Sequence, residues 1–447
     1  MDAVFLARLQ FGLTAGFHFL FPPTTLGLTL LVVIIETLYG RTKNEVYRRL
    51  SVYLVKILGT VFVMGVASGI ALEFAFGNNW AAYSRTVGDI FGAPLAAEAV
   101  FSFFLESVFL GILVFGRDRV SARTYRLSAV LVFLGAHLSG LWIIIANSWM
   151  QTPAGFRMEG GRAVLSDFWQ AALNPSTVVR FVHTILGGWT TGALVAMAAA
   201  AWLILKKRSA AADPAARLMK PALAVFAVSA VLQLGSGHAH SMQVTHTQPE
   251  KMAAFEAQWK TMEGAPFTVF GIPDEKNERT RLAVRIPKML SLLVHLDPEG
   301  TVLGLDEFPK DERPPVFLPF AGYHLMILFG LLFILMGVWG VWLQARKKLT
   351  SSRFFLKLVL FAVPLPYLAN ELGWIAAEVG RQPWAVYRVL RTSEAVSAVV
   401  PAGNILFSIA LFSLIYALIG VAGLMVILRT IRGGPDEPAA GTARGDV

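Results

Sequence analysis

Six side chains able to bind a metal or carry a proton stand inside long apolar stretches of this chain: His18, Glu98, Glu106, His183, Met326 and Glu378. An ionisable group at membrane depth is costly, so each is a functional candidate by default. Imidazole nitrogen, carboxylate oxygen and thioether sulfur are all metal donors, and one histidine with one methionine is the ligand pair of a six-coordinate electron-transfer haem. Glu98 and Glu106 are eight residues apart, which on a regular helix means about 12 Å along the axis and about 80° of rotation. That gap is too wide for direct proton transfer, but Ser107, Ser139 on the next helix, or water would bridge it. A lone methionine in a helix is ordinarily packing, and a lone histidine ordinarily a satisfied hydrogen-bonder. The weight falls on the set.

The elements that must hold this set are membrane-spanning helices. Of 447 residues, 55% are hydrophobic and 15% charged, where a soluble domain carries about 25% charged residues. That excludes a disordered chain and argues against a cytosolic enzyme. There is no cysteine, which removes disulfides, thiolate-bound zinc, iron–sulfur clusters, catalytic thiols and covalently attached c-type haem. A spanning helix needs roughly 20 mostly apolar residues, and nine stretches qualify: 11–39, 52–76, 92–115, 124–149, 178–205, 219–239, 316–344, 354–379 and 402–428. Pro22 and Pro23 bend the first. The N-terminus has neither a basic leader nor a small-residue cleavage site, so no removable signal peptide is expected.

Lysine and arginine crowd the loops 40–51, 116–126, 206–220 and 345–357, while 77–91 holds only Arg85 and 150–177 only Arg157 and Arg162. By the positive-inside rule the crowded loops are cytoplasmic. The expected fold is an all-α membrane protein of nine transmembrane helices, N-terminus outside and C-terminus cytoplasmic. The formal charge of +10 is thereby explained by topology without nucleic acid. Residues 1–239 would carry helices one to six and 316–432 helices seven to nine. Between them, 240–315 is too long and polar for an idle connection and is expected to be a partly ordered external ligand loop with a short helix at 249–262. The tail 433–447 is expected to be disordered. On this topology His18, Glu98, His183, Met326 and Glu378 reach similar depth on the side of the long loop.

At this point the motifs RLQFGLTAGFHFLF (8–21), GDIFGAPLAAEAVFSFFLES (88–107), LSGLWIIIANSWMQTP (138–153), FVHT (181–184), FGIPD (270–274) and GWIAAEVGRQPW (373–384) come into view as an ordered set. The chain resembles subunit I of the cytochrome bd-type quinol oxidases, over essentially its whole length. The resemblance implies a bacterial cytoplasmic-membrane enzyme that reduces dioxygen to water with electrons from quinol. It implies His183 and Met326 as axial ligands of a low-spin haem b. His18 would hold one high-spin haem with Glu98 on or near its other face, and Glu378 would hold a second. Those two high-spin haems would be haem b and haem d, or haem b in both sites. Trp374 would pack between the haems, and Arg381, with Arg8 and Lys56 as weaker candidates, would pair with propionates. Glu98, Glu106, Ser107 and Ser139 match the family's proton path, and Lys251 and Glu256 its quinol-oxidising pair. Chemically, Glu256 would accept a quinol hydroxyl proton while Lys251 stabilises developing negative charge. Implied partners are a second large membrane subunit, a small single-span subunit, quinol, dioxygen and the lipid bilayer.

Three departures stand out. Only about forty residues separate FGIPD from the seventh span, so this is a short-loop form. His324, in YHLM at 323–326, stands where some members have arginine; losing that fixed charge should lower the low-spin haem's potential unless His324 is protonated. Arg117, in GRDR at 116–119, stands where tryptophan is common and reads as a cytoplasmic surface change. Two other readings remain: a b-haem electron-transfer subunit that never meets oxygen, which leaves His18 and Glu378 idle, and a proton-coupled transporter, which predicts inverted repeats and a colourless protein.

Overall fold

The computed structural model describes residues 2–206 and 209–435. Among them nine helical units are long and apolar enough to cross a membrane: Ala3–Thr42, Glu45–Gly77, Ala81–Phe115, Ala122–Gln151, Thr177–Leu205, Ala212–Thr247, Phe317–Ala345, Arg353–Val379 and Ala402–Gly433. The expected disorder of 433–447 falls largely outside the described residues.

Three of the nine are broken, each where the sequence gives a cause. The first consists of helices Ala3–Phe19 and Phe21–Thr42, with Pro22 and Pro23 in the opening turn of the second, where a missing N–H costs nothing. The eighth divides into Arg353–Phe361 and Pro364–Val379 for the same reason, with Pro364 opening the second piece. The third contains Pro94 in its first part, Ala81–Ala97, and one turn later becomes a π-helical segment, Glu98–Phe103, before resuming as Phe104–Phe115.

The bundle is organised around the fifth span. Of its most apolar 18 residues 78% are buried, against 11% in the ninth span. The run Ala193–Ala201 contains six alanines, all but fully buried, and small side chains let neighbouring helices approach closely. At the tightest crossing, with the first span, a Cβ added to Gly27 would lie 2.6 Å from the Cα of Gly192 and 2.7 Å from the carbonyl oxygen of Gly188. Only glycine fits there.

The sixth span runs past residue 239 to Thr247, and the helix that follows is Pro249–Phe255, shorter than the 249–262 expected. The polar residues that end the apolar run turn inward rather than to water. Ser236 Oγ is 3.0 Å from His183 Nδ1, and Ser241 Oγ is 2.9 Å from the Tyr323 hydroxyl. The rest of the long connection is ordered: an antiparallel hairpin pairs Phe267–Asp274 with Arg279–Ile286, and a short ladder joins Met262–Glu263 to Thr301–Val302. Two smaller hairpins, Phe156–Glu159 with Arg162–Leu165 and Trp384–Val386 with Leu390–Arg391, lie in the other connections at this end of the bundle.

Arg117 is not a surface change. Its guanidinium is 2.5 Å from the buried carboxylate of Glu36 and lies over the rings of Tyr39 and Tyr125, at 5.1 and 4.3 Å. A charge in a short loop reads as solvated, but this one ties the third span to the first at the end away from the long loop.

Candidate functional site

The last three turns of the eighth span form the hub of the site. Glu371, Trp374 and Glu378 share one helix face, at spacings of three and seven residues. Glu378 faces the fourth and fifth spans. Its Oε1 accepts from Asn147 Nδ2 and Gln151 Nε2, each at 3.1 Å, and lies 4.0 Å from Arg180 Nη2. Its Oε2 is 2.5 Å from Arg381 Nη2. Arg180 also donates to Asn147 Oδ1 and its guanidinium lies 5.7 Å from the Trp374 ring, whose other neighbour is Phe19, edge-on at 5.1 Å.

Arg180, only 6% exposed, was not singled out from sequence, although a charge three residues before His183 in an apolar span is the signal that would have found it. Two guanidinium groups, Arg180 and Arg381, thus converge on one carboxylate. Arg180 Nε and Arg381 Nη1 are buried with no hydrogen-bond partner among the described residues. Such uncompensated charge calls for a further anion.

His183, three residues after Arg180 on the fifth span, and Met326, packed against Gly373 of the eighth, lie beside this hub. His183 Nδ1 is held by Ser236, its Nε2 lies 3.2 Å from Gln233 Nε2, and its ring meets His240 edge-on at 5.7 Å. A Cβ on Gly237 would stand 3.3 Å from His183 Cε1, and one on Gly373 would stand 2.8 Å from Met326 Sδ. His324 is two residues before Met326, so on the helix it points about 200° away. There its ring lies against Phe320 and Phe267, at 4.2 and 5.4 Å, and its Nε2 is 3.7 Å from Glu256. The residue that replaces the family's arginine therefore faces the loop, not the methionine.

His18 sits on the opposite flank, its Nδ1 3.0 Å from Ser68 Oγ, with Gly69 so close that a Cβ would come within 3.1 Å of the ring. Across the bundle, Ser139 Oγ donates to Glu98 Oε1 at 2.7 Å, while Glu106 packs on Gly135, where a Cβ would be 3.0 Å from its own. Gly135 and Ser139 are one turn apart on the fourth span, so both carboxylates face the same helix. The 80° separation expected from a regular helix does not hold. A π turn absorbs one extra residue, so eight residues through it rotate like seven, and the two carboxylates come within about 20° of alignment. Ser107 turns back on its own helix, donating to the carbonyl of Phe104 at 3.3 Å. Arg8 and Lys56 are exposed on the first and second spans.

In the long connection, Lys251 and Glu256 are 2% and 1% exposed, far from the solvated face such a spacing usually marks. No contact joins them. Lys251 Nζ donates to Gln248 Oε1 at 2.6 Å and to Gln151 Oε1, and Gln151 in turn reaches Glu378. Burial, then the nearby guanidiniums of Arg180 and Arg381, hold its ammonium well below the usual lysine range. Burial pushes the Glu256 carboxyl up to about 8, and among the described residues neither of its side-chain oxygens has a hydrogen-bond partner.

The donors fit haem. Among the described residues no three histidine, aspartate or glutamate side chains converge on one point, which suits iron that brings four equatorial nitrogens and asks one or two ligands of the protein. Glycines leave room beside His18, His183 and Met326, and the unpaired guanidinium nitrogens suit propionates. The fold and site thus define a multi-pass membrane subunit with buried donors of the kind that hold haem.

The comparisons with known proteins name the class. The family model for cytochrome bd terminal oxidase subunit I matches residues 6–435. The chain is 38% identical to cytochrome bd ubiquinol oxidase subunit 1 of Bacillus subtilis (strain 168), covering 98% of this chain and 95% of that one. It is 34% identical to cytochrome bd-II ubiquinol oxidase subunit 1 of Escherichia coli (strain K12), covering 97% of each. The bd oxidase structure from Geobacillus thermodenitrificans aligns with a TM-score of 0.89 at 28% identity, over 97% of this chain and 99% of that one. This chain belongs to the cytochrome bd terminal oxidase subunit I family, and is a quinol oxidase subunit of a respiratory complex in a membrane.

Proposed function

We propose that this subunit oxidises quinol at the long-loop end, on the outer face, and reduces dioxygen to water at a di-haem site between His18 and Glu378, with protons drawn from the cytoplasm. The observation that carries the reading is the hub on the eighth span, where Glu378 and two buried guanidiniums gather, Met326 packs on Gly373, and Trp374 meets Phe19, the neighbour of His18. Bound haem would supply one-electron transfer where two protein ligands hold it and oxygen binding where one does. His183 and Met326 would hold the low-spin haem b; His18, Glu98 and Glu378 would hold the high-spin haems, b and d or b in both. Ser236 fixes the orientation of the His183 ring by hydrogen-bonding Nδ1. Arg180 and Arg381 would pair with propionates, and Trp374 would pack between the haems.

Protons enter past Glu106 and pass by Ser139 to Glu98. Charge is separated because quinol protons leave on the outer side while those consumed enter from the inner. A second large membrane subunit of similar fold, and a small single-span one, complete the complex in the bacterial cytoplasmic membrane.

The test is spectroscopic. The purified complex should show three haems, two of them high-spin and at least one binding carbon monoxide, and should consume oxygen with quinol. Low-spin haem alone would leave an electron-transfer subunit, and a colourless complex would restore the transporter. Two predictions attach to particular residues. Gly373→Ala pushes a methyl group into Met326 Sδ, an overpacking cost of about 1–3 kcal/mol; the sulfur gives way, and the reduced spectrum should lose low-spin amplitude. Glu256, with its carboxyl near 8, is mostly protonated at neutral pH and serves as a base only in its ionised fraction. Quinol oxidation should therefore quicken as pH rises towards 8, and Glu256→Gln should flatten that limb, as read from initial rates across pH 6–9.

A further inference from the structure

The proton path described above leaves intramembrane carboxylates unused, and one of them stands beside the hub. Glu371 lies on the eighth span two turns before Glu378 and one turn before Trp374, on the same face. Its Oε1 is buried with no hydrogen-bond partner among the described residues. Its Oε2 lies so close to the first span that a Cβ on Gly16 would come within 3.2 Å of it, two residues from His18. The adjacent amide cannot satisfy it, because Asn370 is turned to the fifth span, where its Nδ2 donates to Thr191 Oγ1 at 3.0 Å. One turn back, towards the basic-loop end, the Tyr367 hydroxyl is 2.7 Å from Thr24 Oγ1, and Thr24 donates to the carbonyl of Leu20 at 3.2 Å. Hydroxyls that pair with each other at a helix break can donate or accept and so pass a proton on.

We propose that Glu371 is a second proton-carrying carboxyl of the oxygen site, placed between His18 and Glu378 and reloaded through Tyr367 and Thr24, independently of the Glu106–Ser139–Glu98 path. An unpaired carboxyl at this depth is cheap to hold protonated and costly to leave ionised, so it releases its proton only when negative charge accumulates beside it. Reduction of dioxygen does that: each molecule takes four electrons, supplied by quinol, and four protons, and leaves as two waters. On this assignment Glu371 gives one of those protons, becomes a carboxylate, and regains a proton from the Tyr367 side. The oxidised partner is quinol, already the electron donor, so no further reagent is needed. A carboxyl there for packing alone would share its burial but would not follow turnover.

The inference rests on the oxidase reading, and the experiment separates the two. The complete complex carrying Glu371→Gln should keep its haem content and spectra, slow quinol-driven oxygen consumption by about 10-fold or more, and lose one protonated-carboxyl band from the reduced-minus-oxidised infrared difference spectrum. Glu371→Asp should recover part of the rate. A Glu371→Gln complex that consumes oxygen within about twofold of the parent, or that keeps every carboxyl band, overturns the proposal, as does one that loses a haem. If Glu371→Gln fails to assemble, Tyr367→Phe decides: a slowed rate with unchanged spectra supports the track, and an unchanged rate overturns it. A parent complex without oxygen consumption would overturn the oxidase reading itself.

Discussion

Glu106→Gln lowers quinol-driven oxygen consumption by about 100-fold while leaving the haem spectra as they are. Glu106 is 6% exposed, and its backbone nitrogen and Cβ lie against Gly135 on the fourth span. Among the described residues no ion pair holds it, so the amide fills the same space without stranding a partner charge, and folding is little disturbed. What is lost is the ability to take up and release a proton at the one point where the third span's carboxylates align with Ser139. Steady-state oxygen consumption, with optical spectra of the same preparation, checks the expectation. A fast Glu106→Gln enzyme would mean that protons reach the site by another route, and Glu371 would be the first place to look.

Glu378→Ala has the opposite character, because its cost falls on the structure. Arg381 Nη2 is 2.5 Å from this carboxylate and Arg180 Nη2 4.0 Å, and both arginines are 6% exposed. Removing the anion leaves two buried guanidiniums facing each other, and breaking a buried pair in this way costs about 3–5 kcal/mol. The complex should lose thermal stability by that order and lose one high-spin haem signal. Glu378→Gln keeps an oxygen towards the guanidiniums and should cost less. Equal stability of Glu378→Ala and the parent would show that another anion already balances the arginines.

How much of this was legible in the sequence depends on which residue is asked about. His183, Met326, Glu378 and Glu98 stand out because a polar atom in an apolar run has few explanations, and the structure places all four on or near the helices around the eighth span. The nine spans are legible for the same reason. What escaped was polarity that is satisfied inside the protein. The sixth span ends, by hydropathy, at residue 239, yet its serines and histidines pair with Tyr323 and His183 and the helix runs on to Thr247. Arg117 reads as a loop charge because Glu36, eighty-one positions earlier, is its partner. Arg180 and Glu371 were readable as charges in apolar runs, but only the fold shows that one faces Glu378 and the other Gly16. The π turn left no mark that periodicity can detect, since it changes the count of residues per turn and not their type.

In an unbroken helix Glu98 and Glu106, eight residues apart, would look out on different neighbours, whereas carboxylates seven residues apart would share one face. A π turn takes up one inserted residue where it enters, so neither flanking stretch of helix has to turn. A relay that began with a seven-residue spacing would therefore survive the gain of a single codon between its carboxylates, with both still directed at the fourth span.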